Sequence, residues 1–151
     1  MTKVHVESLP VHVYTVEAND GRHEWLSDET LEDGGEDAGP SPYGLLLSGL
    51  GSCMAITLRM YANYKGWPLE SVAIELTHER VPAEECEACT PEEIAAAGPG
   101  GRIDIIRTDI TLTGSLDDEQ VARLHEIANR CPVHRTLEAK PKFLSSISAS
   151  I

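Results

Sequence analysis

The stretch PYGLLLSGLGSCMAITLRMYANYK, residues 42–65, carries no charge in its first two-thirds. Because so apolar a segment has to be covered, it constrains how the rest of the chain packs. Ser41 can cap a helix here, and Pro42 suits the first helical position, where a missing N–H costs nothing. Gly66 and Pro68 then end the helix. The stretch therefore predicts one helix of 24 residues, about 36 Å long at about 1.5 Å per residue.

The first two-thirds of this helix are apolar or small on every side, so we expect that part to be buried all round. Glycine in a helix costs about 1 kcal/mol relative to alanine. The small positions therefore predict that another segment packs closely against them; they are Gly44, Ser48, Gly49, Gly51 and Ser52. Cys53 lies in the middle of this predicted buried helix.

Charge and length exclude several classes of protein. The 151 residues include 12 Lys and Arg against 25 Asp and Glu, which gives a net charge of −13. Nucleic-acid and anionic-membrane binders need a basic surface instead. The N-terminus lacks the apolar segment of a signal peptide, and the apolar run 45–58 is too short to span a bilayer. We therefore predict a cytoplasmic protein with a single domain over residues 1–151 that binds neither nucleic acid nor membrane.

Three short strands are predicted before the long helix. Apolar residues alternate with polar ones in 4–9 and recur in 11–16, which favours two strands. Asn19-Asp20-Gly21 is typical of a hairpin turn and leads into a third strand, residues 22–27. The acidic, glycine-rich residues 28–40 indicate a solvated loop.

The second half predicts two strands, a second main helix and a last strand. Alternation favours strands over residues 69–80 and 103–112, and a last strand over Lys142–Ile147. A helix over residues 117–130 is capped by Asp117 and ended by Pro132. Its apolar face consists of Val121, Leu124, Ile127, Ala128 and Cys131. This order predicts an α+β fold with antiparallel sheets packed around two main helices.

Residues 82–101, PAEECEACTPEEIAAAGPGG, predict an exposed insertion loop with one short helix. Cys86 and Cys89 form a CxxC motif in it. One CxxC is at best half of a zinc site, and the adjacent glutamates disfavour a reactive thiolate. The pair is therefore a weak metal candidate, an auxiliary dithiol, or part of a loop without chemistry.

Cys53 and Cys131 are predicted on the inward faces of the two main helices. If those helices pack, the thiols could come within disulfide range. A reversible dithiol needs a nucleophilic thiolate, a resolving thiol and a nearby positive charge, which Arg22, Arg130 or Arg135 could supply. The alternative is that both cysteines are buried as small hydrophobic residues. For His134, we favour capping of helix carbonyls over a role in positioning a thiol.

The segments SPYGLLLSGLGSCMAITLRMYANYKGWPLE and LDDEQVARLHEIANRCPVHRTLE resemble the OsmC/Ohr family, and the resemblance runs from about Gly21 to the C-terminus. It implies an OsmC-like fold in which two protomers intertwine as a homodimer. It also implies a thiol-dependent peroxidase that reduces organic hydroperoxides in oxidative stress defence, uses an external dithiol and needs no cofactor. The residues it implies are Cys53 as peroxidatic cysteine, Cys131 as resolving cysteine and Arg22 as candidate charge partner.

The chain departs from the peroxidase branch of that family at one point. The branch carries a glutamate ten residues before its reactive cysteine, which orients an arginine. Here Tyr43 and then Gly44 stand there. Two other functions therefore stay open. The fold could bind an apolar small molecule beside Cys53 without catalysis, or Cys86 and Cys89 could form a thiol redox or metal sensor.

Overall fold

A computed structural model describes residues 1–149. Its first sheet is antiparallel, with the order β1 (His5–Ser8), β2 (Val16–Asn19) and β3 (Glu24–Ser27). His5 pairs with Asn19, and Val16 pairs with Ser27. Between β2 and β3, Gly21 has a φ of 87°, a conformation that glycine adopts without strain. The three predicted strands and the predicted turn are confirmed.

The second strand is shorter than predicted. Residues 10–15 form a loop, closed by a hydrogen bond from Leu9 N to the Thr15 carbonyl at 3.1 Å. Val11 in this loop is 89% exposed and Val13 is 66% exposed. The apolar residues after Pro10 therefore do not extend the ladder.

The long helix α1 spans Pro42–Lys65, as predicted. The Gly44 N–H donates to Ser41 Oγ at 3.2 Å, which confirms the predicted cap. At the other end, Gly66 takes a φ of 67° and Trp67 N donates to the Ala62 carbonyl at 2.9 Å. This is the expected glycine-ended helix terminus.

The prediction that the first two-thirds of α1 are buried all round is wrong within residues 1–149. Only one side is buried, by Leu50, Gly51, Met54, Leu58 and Ala62. On the other side of those first two-thirds, Ser52 is exposed and Ile56 is 60% exposed. Nothing described lies within 4 Å of where a Cβ on Gly49 would be. Within residues 1–149, the close packing expected at that glycine is therefore not supplied.

Length and composition alone would allow α1 to cross a membrane. The helix has 24 residues and a mean hydropathy of 1.4 in its most apolar window. The core helix of a globular protein passes the same test, and α1 carries Arg59 and Lys65 in its last two turns. Arg59 donates to the carbonyls of Leu69 and Glu70, both at 2.7 Å.

Two long strands follow α1. They are β4 (Leu69–Pro82) and β5 (Arg102–Gly114), which form a two-stranded sheet with alternating burial, as predicted. Between them lie a 3₁₀ turn (Ala83–Glu85) and the short helix α2 (Pro91–Ala97). The predicted capping box of α2 is present, because Glu93 N donates to Thr90 Oγ1 and Thr90 N donates to Glu93 Oε2.

The second main helix, α3 (Asp118–Ala128), is capped by Asp117 with Gln120 at the third position, as predicted. It ends two residues earlier than predicted, and a second short helix, α4 (Pro132–Glu138), follows. The predicted strand over Lys142–Ile147 is wrong. Residues 141–149 have no regular structure, and Phe143 and Ile147 are 89% and 100% exposed. No neighbouring strand edge within residues 1–149 takes up their hydrogen bonds, so apolar alternation alone does not make a strand.

Contacts group the chain into two compact units. The first comprises Met1–Gly49 and Leu76–Arg107, and the second Leu50–Glu75 and Thr108–Ile151. The large buried apolar side chains lie in the second unit, including Leu50, Met54, Leu58 and Leu124. In the first unit the buried residues are small or polar: Thr15, Ala18, Ser27, Asp28, Ala83 and Cys86.

Candidate functional site

Cys53 and Cys131 come together in the second unit. Both are free thiols, and their side chains lie next to each other. Cys53 is partly exposed, whereas Cys131 is fully buried at 0% exposure. The two sulfurs therefore differ in access although they share one site.

Packing between the two main helices brings these sulfurs together. Leu124, Ile127 and Ala128 on α3 are buried on the predicted apolar face, although Val121 at its start is 43% exposed. The helices also meet through polar contacts, since Arg123 Nε donates to the Tyr61 hydroxyl at 3.1 Å. The apolar face ends at Cys131, which is buried in the same core.

Cys131 is the N-cap of α4, which sequence analysis missed. Its Sγ accepts the His134 N–H at 3.4 Å, and Pro132 occupies the first helical position. A residue that caps a helix, followed directly by proline, is the usual start signal of a helix. Cysteine is a weak acceptor and is rarely counted among capping residues, so the signal was present but was interpreted only as the stop of α3.

The surroundings of Cys131 raise its pKa above the ordinary thiol value of 9.0. Burial is the largest cause, and the adjacent Cys53 side chain adds to it. The backbone N–H groups of Val133 and His134 act in the opposite direction and only partly offset burial. These surroundings therefore favour the protonated thiol of Cys131 over its thiolate.

His134 caps a helix carbonyl, as favoured from the sequence. Its Nδ1 lies 2.5 Å from the carbonyl oxygen of Asn129, the residue that ends α3. A carbonyl can only accept, so Nδ1 carries the proton. His134 thereby ties the start of α4 to the end of α3, on either side of Cys131.

The structure places the three candidate basic residues on exposed positions. Arg22 lies in the turn between β2 and β3, where its backbone N–H donates to Asp20 Oδ1 at 2.9 Å. Arg130 and Arg135 flank Cys131 in the chain, on either side of the α3–α4 junction, and both are exposed. The role of Arg22 as charge partner stays a prediction.

Tyr43, ten residues before Cys53 in the chain, forms an aromatic stack. Its ring lies 4.3 Å from that of His78, with the planes 12° apart. His78 Nε2 in turn contacts Asp104 Oδ1 at 2.9 Å. The start of α1 therefore offers an aromatic ring at this position and no carboxylate.

An apolar small molecule beside Cys53 would need apolar side chains of α1 as a lining. Leu50 is buried at 2% exposure, whereas Ile56 is 60% exposed and lies on a different side of the helix. These two side chains therefore do not share one lining.

Cys86 and Cys89 are joined in a disulfide. Cys86 is buried at 6% exposure, so the insertion is less exposed at this point than predicted. In this form neither sulfur is a thiolate that could bind a metal. Among residues 1–149, no group of three His, Cys, Asp or Glu side chains is arranged to hold a metal ion.

Comparison with known proteins supports the fold described above. Among solved structures, an OsmC-like protein from Mycoplasma pneumoniae has a TM-score of 0.68 at 17% identity, covering 93% of this chain and 89% of that one. An organic hydroperoxide resistance protein OsmC from Legionella pneumophila has a TM-score of 0.62 at 22% identity, covering 91% and 88%. The organic hydroperoxide resistance protein OhrB of Bacillus subtilis has a TM-score of 0.60 at 16% identity, covering 93% and 92%.

These identities are low, so the likeness to the solved structures establishes the α+β fold alone. No curated protein matches the chain. The family model described as OsmC-like protein, however, matches residues 34–145, well over half of the sequence and including both free cysteines. The chain therefore belongs to the OsmC-like protein family.

Proposed function

We propose that this protein is a thiol-dependent peroxidase that reduces organic hydroperoxides, with Cys53 as the peroxidatic and Cys131 as the resolving cysteine. The observation that carries the proposal is the contact between two free thiols of unequal access. Family membership supports it, because two of the similar structures are organic hydroperoxide resistance proteins. Defence against oxidative stress in the cytoplasm is the biological role that this activity implies.

The proposed reduction of a hydroperoxide has three steps. The Cys53 thiolate attacks one peroxide oxygen, the O–O bond breaks, and an alcohol leaves after taking up a proton, so that Cys53 becomes a sulfenic acid. The Cys131 thiol then attacks the Cys53 sulfur, a disulfide forms, and water leaves. An external dithiol finally reduces that disulfide by thiol–disulfide exchange and is itself oxidised.

The environment of Cys131 suits a resolving cysteine that does not itself react with the peroxide. Its raised pKa favours the protonated thiol, which is the less reactive form towards peroxide. Its complete burial also keeps it away from other oxidants. Its side chain also lies next to that of Cys53, as formation of a disulfide requires.

Arg22 is our proposed charge partner for the Cys53 thiolate. The proposal rests on two observations. The NDGRHEW segment resembles the family's arginine-bearing strand region, and Arg22 is exposed at a turn. We expect Arg22→Gln to slow peroxide consumption and Arg22→Lys to retain part of it. Equal rates for Arg22→Gln and the unmodified protein would remove Arg22 from the site.

Peroxide consumption and thiol counting test the main proposal. With cumene hydroperoxide and excess dithiothreitol, we expect Cys53→Ser to abolish turnover. When dithiothreitol is removed before the hydroperoxide is added, Cys131→Ser should leave a sulfenic acid on Cys53 that dimedone traps. The Cys86→Ser/Cys89→Ser double variant is the matched control and should turn over normally. Unchanged turnover in Cys53→Ser would reject the proposal.

We also propose that the functional form is a homodimer. An apolar row on α1 is exposed, with Ile56 and Met60 at its centre and Gly49 open to solvent. In the N-terminal sheet, Val4 and Val6 are 47% and 56% exposed. Exposed apolar surface of this extent typically marks an interface, and a second copy of the same chain would cover it.

A non-catalytic binding protein is the second candidate, favoured by Tyr43. Its ring is stacked on His78 at the position of the family glutamate and is 53% exposed. That surface suits an apolar or aromatic small molecule. In the thiol-counting assay this function predicts no loss of the Cys53 and Cys131 thiols on addition of stoichiometric hydroperoxide.

A further inference from the structure

The proposed peroxide chemistry does not use the Cys86–Cys89 disulfide in the insertion between β4 and β5. We propose that this disulfide is a second redox-active site, which exchanges two electrons with thiol reductants and selects cationic or neutral thiols over anionic ones. The proposal is independent of peroxide reduction.

The two cysteines differ in exposure to solvent, and thiol–disulfide exchange needs at least one sulfur that an incoming thiolate can reach. Cys86 is buried at 6% exposure, whereas Cys89 is partly exposed. An incoming thiolate therefore attacks Cys89 Sγ, the S–S bond breaks, and Cys86 leaves as a thiolate that takes up a proton. A second thiol then attacks the mixed disulfide at the reductant's sulfur, which releases Cys89 as a thiol and the reductant as its disulfide.

The fold around the bond is held by other contacts, so it can survive reduction. Ala83 N donates to the Gly101 carbonyl at 2.9 Å and closes the base of the insertion. Cys86 N donates to the Ala83 carbonyl at 3.3 Å, and Cys89 N donates to the Cys86 carbonyl at 3.3 Å. Downstream, α2 has its own capping box.

The bond also contributes little as a structural cross-link. It joins residues separated by three positions in the chain. The stabilisation that a disulfide gives by restricting the unfolded chain is smallest for short loops. A bond that stabilises the fold little and has one partly exposed cysteine fits a site that cycles between disulfide and dithiol.

The charge around the site sets its choice of reductant. Residues 81–101 contain five glutamates and no lysine, arginine or histidine. Glu84, Glu85 and Glu87 are exposed beside the two cysteines. This local negative field repels an approaching anionic thiol and attracts a cationic one, and added salt weakens both effects.

Three small monothiols of similar size test the site: cysteamine, 2-mercaptoethanol and 2-mercaptoethanesulfonate. The protein is the full chain with Cys53→Ser, so that no peroxide chemistry or Cys53–Cys131 bond interferes. Reduction is followed by alkylation and peptide mass mapping of residues 81–101, and folding by circular dichroism.

We expect complete and reversible reduction without loss of circular dichroism, with rates in the order cysteamine, mercaptoethanol, mercaptoethanesulfonate. At low salt the reduction rates with the fastest and the slowest thiol should differ by roughly tenfold or more. About 0.5 M sodium chloride should make this ratio of rates smaller. The Glu84→Gln/Glu85→Gln/Glu87→Gln variant should also show a smaller ratio of rates between the thiols. A control with the same number of changes elsewhere, Glu24→Gln/Glu32→Gln/Glu119→Gln, should not.

Two results would overturn the proposal. A disulfide that excess dithiothreitol reduces only after denaturation, or whose reduction unfolds the chain, is a structural bond. Equal rates for the three thiols in both the parent and the Gln variant would remove the charge selection. Unmodified protein is assayed in parallel, and the same peptide is followed because it contains only Cys86 and Cys89. Equal results in both proteins show that the Cys53→Ser substitution does not affect the outcome through folding.

Discussion

The backbone N–H of His134 donates to Cys131 Sγ across 3.4 Å, which holds the buried sulfur at the start of α4 and in contact with Cys53. Because Cys131 is fully buried and its pKa is raised, it should react with iodoacetamide more slowly than Cys53 by roughly tenfold or more, since reaction requires local opening. Pulsed alkylation and peptide mass mapping of the native protein measure both rates. Equal native rates would contradict this account, whereas equal rates in denaturant are expected.

Core packing of α3 gives a stability prediction with an internal control. Leu124 is fully buried, whereas Val121 on the same helix is 43% exposed. We expect Leu124→Ala to lower the free energy of unfolding by about 2–5 kcal/mol, and Val121→Ala by less than about 1 kcal/mol. Urea unfolding measures both changes. Similar costs for the two variants would show that the packing of α3 described here is wrong.

Asp28 gives a prediction for the pH dependence of stability. It is 3% exposed, and its carboxylate accepts from Thr15 Oγ1 at 3.0 Å and from the backbone N–H groups of Glu29, Glu36 and Ala38. Burial raises its pKa, but these hydrogen bonds outweigh burial and the net pKa is lowered from 3.8.

A lowered pKa in the folded state means that the stability from Asp28 is present above the unfolded pKa and is lost as the pH falls through the folded pKa. Asp28→Asn should therefore destabilise the protein at pH 7, because an amide NH₂ would face backbone donors. The difference from the unmodified protein should shrink below about pH 4. Urea unfolding between neutral and acidic pH tests this, and a difference that stays constant with pH would refute it.

The exposed apolar row of α1 predicts that a charged substitution there weakens the proposed dimer. A glutamate at Ile56, which is 60% exposed, costs the single chain little but would lie desolvated in an interface. We expect Ile56→Glu to shift sedimentation from dimer to monomer, and the control Ile56→Val to leave the dimer intact. A protein that is monomeric before any substitution would end the proposal.

Local sequence signals predicted most of the secondary structure because their causes are local. The bounds of α1 follow from Ser41, Pro42 and Gly66, and the capping box of α2 follows from Thr90 and Glu93. Each of these signals depends on hydrogen bonds within a few residues. One signal that needs a distant partner failed. The strand expected at Lys142–Ile147 is absent, because an apolar alternation still needs a neighbouring strand edge.

The sequence by itself determined the elements, the acidic surface and the family, since composition, spacing and the two cysteine-bearing segments are all read along the chain. Only the tertiary structure decided which cysteines meet. Cys53 and Cys131 are 78 residues apart in sequence and lie next to each other in the fold, in which α1 and α3 each bury an apolar side, whereas Cys86 and Cys89 bond to each other within one short loop. Burial, which depends on the whole packed core, then makes Cys131 the protonated partner of the accessible Cys53.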